Sequence, residues 1–179
     1  MAVISVLGTA IAVLGTAGGL AATQSKPRQA GPNIAVDQGR FTVTVLGARI
    51  GLVKGLFSEA TKRSLIVKLR VVNNGTDSAS VDTDLKEGIV GEPKPGQYKE
   101  VGNLTGLATD GSKTGSVEPG LPINAEASWE LAPGVTPAKV TIALRQWEYH
   151  PGFTDVQYIW WMTKSSAVMA EVTVPVQGS

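Results

Sequence analysis

The 179-residue chain contains no cysteine. That excludes disulfides, thiolate catalysis, cysteine-based zinc or iron–sulfur sites and a lipid anchor attached at a cysteine. It is also short of histidine, with His150 alone. A general base there would need a positioned nucleophile or carboxylate, for which Ser165, Ser166 or Asp155 can be named only without geometric support. Because His150 precedes Pro151-Gly152, it reads first as a turn residue. An excess of one charge is missing as well: 16 Lys and Arg face 15 Asp and Glu, and no basic cluster appears. Nucleic acid, whose phosphates call for concentrated positive charge, is therefore not an expected partner. Gly111 to Gly115 lack the lysine-serine ending of a phosphate loop. The group Asp82-Thr83-Asp84, with Asp77 nearby, does not have the spacing of a twelve-residue calcium loop. No metal and no cofactor is expected.

Charge is absent altogether from residues 2–22. As a helix such a run would reach about 31 Å, close to the hydrocarbon thickness of a bilayer. The polar stretch that follows, with Lys26, Pro27, Arg28 and Pro32, stops a helix. Three parts are thus expected: residues 1–22 as a membrane anchor or signal segment, 23–37 as a linker and 38–179 as a folded domain. A retained anchor suits the length. Cleavage after Ala21 is the alternative, with Gly19 and Ala21 as the small residues, although no basic residue precedes the run. The positive charges Lys26 and Arg28 follow the segment, which taken alone would leave the domain in the cytoplasm. A β-rich domain behind such a segment is nonetheless expected to be extracytoplasmic. Val6-Leu7-Gly8-Thr9-Ala10 recurs as Val13-Leu14-Gly15-Thr16-Ala17. On a helix Gly8, Ala12, Gly15 and Gly19 share one face, a stripe that lets two membrane helices pack closely.

From Arg40 onward the hydrophobic period is two. Phe41, Val43 and Val45 alternate with threonines; Leu65, Val67, Leu69 and Val71 alternate with Ile66, Lys68 and Arg70. Asn73-Asn74-Gly75-Thr76 supplies a turn, since Asn-Gly readily takes positive φ. Further strands are expected over residues 127–131, 139–149, 156–162 and 168–176, with turns at Pro119-Gly120, Pro133-Gly134 and Pro151-Gly152. Residues 91–96 and 110–115 read as loops, and residues 56–62 as at most one helical turn. About seven to nine short strands at this spacing imply a two-sheet β-sandwich. Asn74-Gly75-Thr76 and Asn103-Leu104-Thr105 match the glycosylation triplet, a frequent chance pattern.

Aromatic residues are few, 6% of the chain, and unevenly placed. Trp147, Tyr149, Phe153, Tyr158, Trp160 and Trp161 are six of its ten Phe, Trp and Tyr. A hairpin around residues 150–157 that pairs Tyr149 with Tyr158 and Trp147 with Trp160 would put those four on one face and Trp161 on the other. Such a surface stacks on sugar rings or anchors a protein. The alternative is that these rings are core. Trp129, between Ala127 and Leu131, fits a core position better.

One stretch carries a family resemblance. Leu65-Ile66-Val67-Lys68-Leu69-Arg70-Val71-Val72-Asn73-Asn74-Gly75 resembles the strand and turn of a bacterial family of extracytoplasmic immunoglobulin-like domains of unknown function. That family is found in lipoproteins and membrane-anchored proteins. It is similar in fold to a secreted mycobacterial immunoprotective antigen. The pattern continues in Val117-Glu118-Pro119-Gly120, the strand 127–131, the loop 133–137 and the strand 139–144, and it covers roughly residues 38–150. It implies an immunoglobulin-like sandwich and supplies no catalytic residues. Two features depart from it: the missing lipid-attachment cysteine and the stretch from Trp147 onward.

The expected function is a non-catalytic extracytoplasmic binding or assembly module tethered to the membrane by residues 2–22 and contacting a protein or an envelope glycan. An accessory subunit of a membrane complex, docked through the small-residue stripe, is the alternative. A secreted form after cleavage near Ala21, and a hydrolase using His150, stand behind these.

Overall fold

A computed structural model of the chain describes residues 26–54, 60–94, 96–152, 157–162 and 168–178. The apolar run 2–22 and its stripe Gly8, Ala12, Gly15 and Gly19 lie outside the described residues. Among the described residues no helix is long and apolar enough to cross a membrane.

The fold is an all-β sandwich, with one short helical turn among the described residues. Its first strands are β1 (Arg28–Ala30), β2 (Ala35–Asp37), β3 (Phe41–Lys54), β4 (Thr61–Asn73) and β5 (Ala79–Ser80), followed by a π-helical turn, Val81–Leu85. Then come β6 (Ile89–Lys94), β7 (Gln97–Glu100), β8 (Asn103–Leu107), β9 (Lys113–Thr114) and β10 (Ser116–Val117). The chain ends in β11 (Ile123–Glu130), β12 (Lys139–Arg145), β13 (Glu148–Pro151), β14 (Tyr158–Trp161) and β15 (Val168–Gln177).

One layer is ordered β7-β6-β12-β15 and the other β3-β4-β11-β8-β9, with β2 added to β3. They are stitched where the end of β15 pairs in parallel with β3, Val176 with Ala48 and Gln177 with Arg49. Alternation decides which side chains enter the space between the layers. Leu65, Val67, Leu69 and Val71 point inward and are fully buried, while Lys68 and Arg70 are exposed. Phe41, Val43 and Val45 join them from β3, and Val140, Ile142 and Leu144 with Ala170, Val172 and Val174 close the core from the other layer. A bulge between Val45 and Gly47 keeps β3 in register with β4 on both sides of it and turns Leu46 outward.

Several expectations need correction. The fifteen described strands exceed the seven to nine expected, and five of them are only two or three residues long. Such short ladders are set by neighbours across the fold and leave no periodicity to read. Residues 91–96 and 110–115, taken as loops, contribute to β6 and to β9. The segment 139–149 is not one strand: β12 stops at Arg145 and β13 starts at Glu148. The linker 23–37 is not all linker, because β1 pairs in parallel with β15 and β2 antiparallel with β3. Gly120 and Gly134 do take positive φ, 71° and 76°, as the Pro-Gly turns require. Asn74 and Gly75 do not. That turn is held instead by the buried Asn73 side chain, which donates to the carbonyls of Asp77 (2.7 Å) and Val117 (2.9 Å) and accepts from the Gly75 N–H (2.9 Å).

The outer face of the first layer carries one perturbed group. Tyr98 on β7 reaches across to β15, and its hydroxyl donates to the Glu171 carboxylate. Partial burial first, then this hydrogen bond and the negative charges of Glu171 and Glu92, push the phenol up to about 12 from its usual 10.0. A folded-state pKa above the unfolded one makes a stabilising contribution that is complete below pH 10 and is lost as pH rises through 12. In an absorbance titration Tyr98→Phe should remove a phenol step near pH 12. Glu171→Gln should move that step down toward the usual 10.0. A titration that Tyr98→Phe leaves unchanged above about pH 11 would contradict this.

Candidate functional site

The most distinctive surface is the β13–β14 hairpin, and the chain reaches it through a pinned corner. Arg145, at the end of β12, donates to the Glu87 carbonyl (3.0 Å) and pairs with Glu100 at 2.6 Å. Two residues on, the Trp147 N–H donates to the Gln38 carbonyl at 2.7 Å, which ties the chain to the turn between β2 and β3. Gln38 is itself fully buried, and its amide donates to the carbonyls of Gly88 (2.8 Å) and Arg145 (2.9 Å). The corner directs the Trp147 side chain inward. Its ring meets Phe41 edge-on at 6.0 Å, with the Arg40 guanidinium 5.4 Å from its centre. Only 5% of Trp147 is exposed, so it is core and not part of a surface patch.

Beyond the corner the hairpin forms its own two-stranded sheet. Its register pairs Tyr149 with Trp160 and Pro151 with Tyr158, not Tyr149 with Tyr158 and Trp147 with Trp160. The difference is two residues, so Tyr149, Tyr158, Trp160 and Trp161 stay on their expected faces, and Trp147 alone of the five leaves the hairpin for the core. Tyr149, Tyr158 and Trp160 share one side. The Tyr149 ring lies 5.4 Å from Tyr158 and 4.9 Å from Trp160, tilted by 40° and 42°. Trp161 is on the other side, as expected, together with Ile159 and with His150, whose ring is 6.0 Å from that of Trp161.

Trp160 attaches this face to the sandwich. It is half-buried against two turns, and both offer glycine. A Cβ on Gly75 would come within 2.9 Å of the indole nitrogen. One on Gly39 (φ 95°) would come within 3.4 Å of the ring and 2.4 Å of the Trp147 carbonyl oxygen. The tyrosines lie beyond this attachment, each 54% exposed. Trp161 and Ile159 are exposed at 44% and 38%. Phe153 lies outside the described residues. Four large side chains on one projecting hairpin thus remain in water, an arrangement that core packing does not require.

The other polar candidates resolve into structural roles. Asp84 accepts from the Ser80 N–H at 2.8 Å and pairs with Arg40 at 3.3 Å, so it caps the π-helical turn and neutralises a half-sunken cation. Among the described residues no three His, Asp or Glu side chains converge on a metal position. His150 places its Nδ1 2.9 Å from the carbonyl of Pro151; Asp155, Ser165 and Ser166 lie outside the described residues. The triplet residue Asn74 is engaged with Asp37, Gly39 and Thr42. Beside the hairpin base an open cleft of about 520 Å³ is lined by Asp82, Lys86, Glu87, Glu100, Arg145 and Met162. Sequence reasoning did not find this cleft, whose walls come from four separated segments with no common motif. Its charges of both signs are largely engaged with one another and with backbone carbonyls, as Arg145 and Lys86 are.

The fold is shared with a solved structure. An uncharacterized β-sandwich protein from Clostridium difficile 630 superposes with a TM-score of 0.52 at 9% identity, over 85% of this chain and 95% of that one. A Northeast Structural Genomics Consortium target solved by X-ray diffraction aligns over 80% of this chain and 92% of its own, at 8% identity and a TM-score of 0.31. No protein-family model matches the chain. No curated protein matches it. The comparison with the clostridial protein establishes the β-sandwich and nothing about activity.

Proposed function

We propose that the chain is a non-catalytic extracytoplasmic binding or assembly module, tethered to the membrane by residues 2–22. Its contact surface is the tyrosine face of the hairpin, and its partner is a protein or an envelope glycan. The sandwich is read as immunoglobulin-like. The observation that supports this is the pair Tyr149 and Tyr158, in tilted ring contact yet more than half exposed. Exposed tyrosines held rigidly by a backbone ladder offer large contact area at low entropic cost, and each keeps a hydroxyl for hydrogen bonding. The hydrolase reading rests on His150 alone, since Asp155, Ser165 and Ser166 lie outside the described residues, and the accessory-subunit reading rests on the small-residue stripe alone.

The test is the double variant Tyr149→Ala/Tyr158→Ala in the full chain. Retention on isolated cell-wall glycan by cosedimentation, and photo-crosslinking from position 149 or 158 in whole cells, read the two partner classes. Loss of two central aromatics should weaken binding by roughly tenfold or more. The thermal midpoint should stay nearly unchanged, since neither ring is in the core. Unaltered retention and crosslinking would remove the hairpin from consideration.

A further inference from the structure

We infer that the opposite face of this hairpin, carrying Ile159 and Trp161, rests in the interfacial layer of a lipid bilayer. This builds on the tethering proposed above and leaves the tyrosine face to the partner. The argument begins with where the chain enters the fold. β1 runs parallel to β15 with Arg28 opposite Ala170, and Val168, at the start of β15, lies opposite Arg145. The hairpin starts three residues after Arg145. The chain therefore enters the sandwich at the end from which the hairpin projects. Six residue steps separate Ala22, the last residue of the apolar run, from Arg28, and fully extended they span at most about 22 Å. A tethered domain must hold this end close to the membrane surface.

The chemistry of the exposed face suits that position. Trp161 and Ile159 are two apart on β14, so they point the same way, with His150 and Glu148 opposite them on β13. Tryptophan favours the membrane–water boundary, where its apolar ring is buried and its N–H stays hydrated. Exposed Lys26 precedes the sandwich and exposed Arg28 is its first strand residue, where both can meet anionic headgroups. Trp160, by contrast, faces the body of the protein and is partly shielded.

Tryptophan quenching tests this, with the assigning variant at an exposed position outside the core. Of the four tryptophans, Trp129 and Trp147 are buried and serve as a silent background. The full chain is reconstituted into phosphatidylcholine–phosphatidylglycerol vesicles with ordinary or brominated acyl chains, and flotation and emission are read on the same samples. The expected result is co-flotation with loss of emission in the brominated vesicles, most of that loss disappearing in Trp161→Phe, which still floats. Co-flotation with equal emission in both lipids overturns the inference while the tether stands, as does quenching that persists in Trp161→Phe. A protein that does not float overturns both. An unquenched Trp161 that crosslinks to protein in cells would assign this face to a protein partner instead, and so overturns it too.

Discussion

Trp147→Ala is expected to destabilise the domain by about 3–5 kcal/mol, the usual cost of emptying a buried tryptophan site. The ring is the keystone of the hairpin end of the sandwich. It packs edge-on against Phe41 and forms one wall of the slot that holds the Arg40 guanidinium, 5.4 Å from its centre. Arg40 has only 13% of its side chain exposed and is balanced by Asp84 at 3.3 Å. Removing the ring takes away an aromatic neighbour and the cation–π attraction together, leaving a cavity beside a charge. Trp147→Phe should cost much less. It keeps an aromatic edge near Phe41, and it deletes an indole N–H that is buried with no hydrogen-bond partner among the described residues. Urea unfolding of the two variants checks this. Equal, small losses would show that Trp147 is dispensable to the core and would return it to the list of surface candidates.

The contrast between Trp147 and Tyr149 also shows what a sequence can and cannot reveal. Alternation within a strand is local, so the buried row Leu65, Val67, Leu69 and Val71 was legible, and so was the inward position of Trp129. The Pro-Gly turns at 120 and 134 were legible because positive φ is a property of the residue itself. Which aromatics of the cluster enter the core was not. That depends on Gln38 and Arg40, more than a hundred residues earlier, and on where the corner at Arg145 releases the chain. The same holds for β1. Arg28, Gln29 and Ala30 have no strand character of their own and become a strand only because β15 offers an edge. The faces of the hairpin survived a mistaken register because the error was an even number of residues. An odd shift would have exchanged the tyrosine and Trp161 sides.

Trp129 and Gly91 make the second large prediction, one in which two positions should prove energetically coupled. Trp129 lies on β11 with 2% exposure, and its indole N–H donates to the Lys99 carbonyl at 3.1 Å. Its six-membered and pyrrole rings lie directly over Gly91 of β6, so it spans the space between the two layers. A Cβ at Gly91 would sit 2.6 Å from Cε2 and 2.7 Å from Cζ2, well inside contact distance. Trp129→Ala should therefore cost about 3–5 kcal/mol through the cavity it leaves, a large share of the 5–15 kcal/mol typical of a whole domain. Gly91→Ala should cost about 1–3 kcal/mol for the opposite reason, overpacking against a ring with no room to retreat. The two positions must then be coupled. In a Trp129→Phe background the atoms that the new methyl would strike are gone, and the added cost of Gly91→Ala should largely disappear. A double-mutant cycle by chemical denaturation measures this directly, with a coupling of about 1–2 kcal/mol expected for residues in contact. Additive losses would mean that Gly91 is required for its backbone alone, and that the close approach of β6 to Trp129 does not hold the two layers at their spacing.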